Sequence, residues 1–202
     1  MSLLIYLGCI TVKHDLIPQD APNRTIDCFE LSLRDDVPIT ISVDFAPEGV
    51  PRTEYMIALA YEETTSSGEE FRSGETRFAN IYLIVTGLIR EEVFVARIAR
   101  LIINIWIHDS ADLTKTCYQW RLSDADFDGI VENVAAEVIT ENQENTVTGI
   151  RPLETPNRDM NDYSQLYRNC LDHFLKSLKL HSLDDLFERQ ADNLYKEKQL
   201  VL

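Results

Sequence analysis

Glycine is scarce in this chain. Seven occur in 202 residues, and none falls in a G-x-G-x-x-G or G-x-x-x-x-G-K-[ST] pattern. Phosphate-cradling loops need glycine so that the backbone can approach the ligand, so the two common nucleotide-binding loops are missing. No G-x-S-x-G elbow occurs, which removes the usual signature of a serine hydrolase on an α/β scaffold. Cysteine is thinly spread as Cys9, Cys28, Cys117 and Cys170, with no C-x-x-C pair. A disulfide framework would be shorter and denser in cysteine. The expectation is four reduced thiols, each a small buried hydrophobe, in a cytoplasmic setting. The four histidines lack zinc-finger spacing. Basic residues are also short, with 19 Lys and Arg against 34 Asp and Glu, for a net charge of −15. Direct nucleic-acid binding needs the opposite sign.

Long uncharged runs are missing as well. The most apolar region, 81–107, is broken by Arg90-Glu91-Glu92 and carries Arg97 and Arg100. A membrane-spanning helix needs about 20 nearly uncharged residues, so no membrane association is expected. The start, MSLLIYLGC, has an apolar run but no preceding Lys or Arg. It reads as a first strand over 2–13 rather than a secretory signal, and that makes the Asn23-Arg24-Thr25 sequon incidental.

What is present is ordinary globular material, 45% hydrophobic and 26% charged, enough to build a core. Alternation marks strands over 25–33 and 38–45, paired as a hairpin. Residues 55–61 read as a short strand, 62–76 as an exposed loop, and 80–89 and 114–122 as strands. The segment 91–108 places Arg97, Arg100, Asn104 and His108 at spacings of three and four, the mark of a largely buried helix with one polar stripe. Ser123, with Asp126 three residues on, predicts the cap of an amphipathic helix running to Asn142. Two further helices follow, over 164–180 and from Ser182 onward. The expected class is therefore α+β, with a β-rich N-terminal half, a buried central helix and a helical C-terminal hairpin. Its parts are a body over 1–142, a linker or long surface loop over 143–162, and the hairpin over 163–202.

Charge points to function more than any motif does. Residues 35–75 and 109–162 each carry a net −8, while 163–202 are neutral. Such a surface attracts basic partners. The leading expectation is a non-catalytic interaction protein of the inhibitor, immunity or accessory type, of the kind viruses and phages encode. It would bind a basic protein through Asp35, Asp36, Glu62, Glu63, Glu69 and Glu70. One alternative is a small α+β enzyme with an anion site at Arg97, Arg100 and His108, where two guanidiniums need carboxylate or anion partners. Another is a structural subunit that self-assembles as a homo-oligomer through the C-terminal helices. No cofactor is implied.

Two local patterns remain. Cys170 and His173 lie three apart on one helix, but Cys170 shares the apolar face with Leu166 and Phe174, and a core thiol is inert. Asp124, Asp126 and Asp128 alternate and are followed by Gly129, as at the start of a calcium loop. The twelfth position, a Glu in the EF-hand, is Ala135. A helix beginning at Ser123 would also exclude such a loop. The three aspartates are weak metal candidates on that reading.

Overall fold

The computed structural model describes residues 26–45, 54–63, 69–72, 75–90, 93–109, 114–142, 144–153 and 158–190. The strand expected over 2–13 and everything after 190 lie outside them. The architecture is mixed α+β with a β-rich majority. The strands are β1 (Ile39–Phe45), β2 (Glu54–Glu62), β3 (Glu69–Arg72), β4 (Glu75–Arg90), β5 (Val93–Asp109), β6 (Thr114–Asp124), β7 (Asn133–Glu141) and β8 (Val147–Pro152). They form a single sheet in the order β1-β2-β4-β5-β6-β7-β8, and β3 pairs with the start of β4. Every pairing is antiparallel. Helix α1 (Met160–Leu178) follows, and a second helix, α2, is described over 183–190.

The buried central helix expected over 91–108 is strand β5. The helix expected from Ser123 to Asn142 is a loop followed by β7. Both misreadings have one physical cause. A strand whose outer face mixes polar and apolar residues loses its clean alternation, and spacings of three and four then mimic a helix. On β5, Leu101, Ile103, Ile105 and Ile107 are buried on one face, while Ile102, Asn104 and Trp106 occupy the other. The β-branched isoleucines suit the pleat. The expected linker 143–162 contains β8 and the first turn of α1, and the expected loop 62–76 contains β3. The strand expected over 25–33 is a single 3-10 turn, Cys28–Glu30, capped by Asp27, whose side chain accepts from the Phe29 N–H.

Both helices pack on one face of the sheet. Ile57, Leu59, Tyr61, Ile81, Leu83, Val85, Leu101, Ile103, Trp120 and Leu122 meet Tyr163, Leu166, Tyr167, Cys170, Phe174, Leu186 and Phe187 in one core cluster. Asp159 caps α1 by accepting from the Asp162 N–H. Lys179 ends α1 in the left-handed region, at φ 57°. Ser182 and Asp185 form a reciprocal cap at the start of α2. On the opposite face Cys117 is buried, and Gln119 donates to Asn104 at 2.9 Å. A bulge between β4 and β5 leaves Arg97 as the extra residue opposite the Thr86–Gly87 step. Gly87 is obligatory there, because a Cβ would lie 2.5 Å from the Val95 carbonyl oxygen.

Candidate metal centre

The connection from β6 to β7, residues 125–132, follows Asp124, the last residue of β6, which is 1% exposed. Its Oδ1 accepts from the Phe127 N–H at 2.7 Å and its Oδ2 from the Gly129 N–H at 3.1 Å. Phe127 (φ 65°) and Gly129 (φ 81°) are both left-handed. Glycine takes that conformation at little cost, and Phe127 is held in it while its ring meets Phe187 edge-on. Asp128 accepts from the Ile130 N–H at 2.7 Å. Glu132 closes the loop twice: its Oε2 accepts from the Ala125 N–H, and its own N–H donates to the Ser123 carbonyl, each at 3.0 Å.

The result is a convergence of charge. Asp124, Asp126, Asp128 and Glu132 each present one carboxylate oxygen, and the four oxygens lie within 4.8 Å of one another. Oxygens on opposite sides of a Ca²⁺ ion are about 5 Å apart, at about 2.3–2.6 Å from the metal. One such ion therefore fits among them. An oxygen-only set suits a hard cation and not zinc. A carboxylate has about four lone-pair sites, so Asp124 can hold its two N–H donors and still ligate. Burial raises the pKa of Asp124, and the Gly129 and Phe127 N–H groups oppose that shift.

The loop leans on α1. The Val131 N–H donates to Ser164 Oγ at 2.9 Å, and the Ser164 hydroxyl donates to the Met160 carbonyl at 2.8 Å. Arg168 Nη1 donates to the Gly129 carbonyl at 3.1 Å. Tyr167 is fully buried, and its hydroxyl interacts with the Asp124 carboxylate. Burial, then the negative charge of Asp124 and of Glu132, pushes its pKa up.

Spacing in the sequence marks Asp124, Asp126 and Asp128 but misses Glu132. The fourth carboxylate sits at the ninth position because the chain turns back into β7 and brings Glu132 over Ala125. The β-branched content of 133–141 was the signal for that return.

The other expected site residues fall elsewhere. Ile39 pairs with Tyr61, which sets the start of β1 beside the end of β2. Asp35, Asp36, Glu62 and Glu63 are thereby gathered at one end of the sheet. Each has an internal neighbour. Asp36 pairs with Arg34 at 2.7 Å, and Asp35 lies 3.8 Å from both His173 and Lys176. Glu62 accepts from the Tyr82 hydroxyl, while Glu63 accepts from the Tyr61 hydroxyl and the Ala79 N–H. Glu69 and Glu70 belong to β3. Arg97 sits in the bulge. Arg100 and His108 share the second face of β5 but lie eight residues apart, about 27 Å along a strand. The helical spacing that grouped these three does not exist. Cys170 and His173 line a cavity of about 410 Å³ between α1 and residues 29–33. Burial pushes the Cys170 thiol up to about 12 and lowers His173, so neither is tuned as a nucleophile pair. No family model matches this chain, and no curated protein or solved structure matches it.

Proposed function

We propose that this protein is a non-catalytic binding protein that holds one Ca²⁺ ion in the β6–β7 loop. The convergence of Asp124, Asp126, Asp128 and Glu132 carries this reading. Four carboxylates this close repel one another, and a divalent cation relieves that repulsion. Isothermal calorimetry with Ca²⁺ on the metal-stripped chain tests it. One ion per chain is the expected result, with at least a tenfold weaker Kd for the Asp126→Asn/Asp128→Asn variant. Absence of binding at millimolar Ca²⁺ refutes it. A ligand that binds only the folded state at 100 times its Kd adds about 2.7 kcal/mol of stability, so a rise in Tm with Ca²⁺ is the independent check.

A second reading is favoured by the gathering of Asp35, Asp36, Glu62 and Glu63 at one end of the sheet. We propose that this end binds a basic protein partner. Exposed charges are screened over about 8 Å at physiological salt. A lysine-rich peptide is expected to bind at 0.05 M salt and to lose most of its affinity by 0.3 M. The Asp35→Asn/Asp36→Asn/Glu62→Gln variant should bind it at least fivefold more weakly. Equal binding by that variant would place the contact elsewhere.

A further inference from the structure

Among the described residues the sheet ends in two strands, β1 and β8, and they differ. Strand β8 carries Gly149, Arg151 and Pro152 within six residues, and its register against β7 shifts. Those features blunt an edge against further pairing. Strand β1, Ile-Thr-Ile-Ser-Val-Asp-Phe, holds no Gly, Pro, Lys or Arg, and it pairs with β2 over seven residues without a shift. Among the described residues no strand lies on its other side. In an antiparallel pair alternate residues bond to the neighbour, and those between present their N–H and C=O groups to the open edge. Ile39, Ile41 and Val43 pack against the core but are only half-buried, while Thr40 and Ser42 are exposed. The apolar flank of β1 is thus left open.

We propose that β1 takes up an extended basic segment of a partner protein as a further antiparallel strand. This rests on the basic-partner reading above and names how that end of the sheet is recognised. Charge selects the occupant. Asp35 and Asp36, 79% and 69% exposed, lie just before β1. Glu62 and Glu63 stand at the end of β2, beside the start of β1, where Ile39 pairs with Tyr61. The pairs of Asp35 with Lys176 and of Asp36 with Arg34 are solvent-exposed, and such pairs are weak, so incoming cations compete for both carboxylates. In an antiparallel segment the C-terminal end lies beside the start of β1. Lys or Arg is required there, after a run with an apolar residue at every second position. That run covers the open flank of Ile39, Ile41 and Val43, while its backbone pairs with β1. A second copy of this chain fits less well, since it would set residues 35–75, net −8, against their like.

The probe is the peptide Thr-Val-Thr-Val-Thr-Val-Lys-Arg-Lys at about 0.05 M salt, followed on the full chain by calorimetry and by amide exchange in NMR. It should bind at least fivefold more tightly than the peptide with Lys-Arg-Lys moved to the front. Two further copies keep the charge, one N-methylated on its valines and the other on its threonines. Only one set of amides can face β1, so one copy should lose at least tenfold in affinity and the other less than threefold. Alternate amides of β1 should exchange at least tenfold more slowly with the peptide bound, while those of β8 change less than twofold. If no basic peptide binds, the basic-partner reading falls. If the peptide binds but both methylated copies bind alike, or β1 amides keep their rates, strand addition is overturned and the charge reading stands. A chain that doubles its mass and protects β1 without peptide also overturns it, in favour of a second copy.

Discussion

Trp120→Ala is expected to lower the unfolding free energy by about 3–5 kcal/mol. Trp120 is 1% exposed, pairs across the sheet with Ile103 and Ala136, and sits in the cluster that joins strands to helices. Truncation removes the largest fully buried side chain among the described residues and leaves a void that rigid neighbours on three strands cannot close. A domain this size has a total stability of about 5–15 kcal/mol, so the variant approaches the unfolding threshold. Urea denaturation at 25 °C reads the change as a lower midpoint at unchanged slope. A loss below about 1 kcal/mol would mean that the sheet and helices do not share this core.

Asp124→Ala is expected to cost about 2–5 kcal/mol in metal-free buffer. The substitution strands the part-buried Phe127 N–H and the buried Gly129 N–H, and a buried donor left unmet costs about 1–3 kcal/mol. Asp124→Asn retains one acceptor and should cost less. The wild-type pH dependence carries the same residue's signature. Its folded pKa lies above the ordinary 3.8 because the group is buried. Between those two values the folded chain holds more protons than the unfolded one, so this residue's contribution to stability falls as pH rises through that window. Asp124→Ala removes that slope. In Ca²⁺ the gap between wild type and variant should widen, since only the wild type keeps the full ligand set. Melting curves in EGTA and in Ca²⁺, across acidic and neutral pH, read all three effects. Equal stability of Asp124→Ala and wild type in EGTA would show that the carboxylate does not organise the loop.

Strands with one dry face were legible in the sequence. Residues 39–45 alternate cleanly because Ile39, Ile41 and Val43 face the core while Thr40 and Ser42 are exposed. The C-terminal helix was legible because Leu166, Tyr167, Cys170 and Phe174 recur on one face of an otherwise polar segment. Strands β5 and β7 were not. Their second faces carry Ile102, Trp106, Ala135 and Ile139, so neither shows a polar period of two, and the helical template matched by accident. The site suffered from the same error. Three aspartates at alternate positions with Gly129 stood out, but a helix drawn through Phe127 and Ile130 denied them a loop. Once β7 is a strand, the loop exists and Glu132 completes it. The Arg97, Arg100 and His108 grouping drew on the same mistaken period.

The order of the elements along the chain has a consequence for biosynthesis. The sheet is nearly a meander, each strand usually lying beside its neighbour in sequence. Its pairing can therefore be complete once β8 has left the ribosome, while α1 is still held in the exit tunnel. At that moment Leu59, Leu83, Leu101, Ile103 and Trp120 form an apolar surface that α1 does not yet cover. Exposed surfaces of this kind recruit chaperones or aggregate. A chain released before α1 is made is thus the vulnerable product of its synthesis, and α1 acts, in the order of translation, as the lid of the sheet.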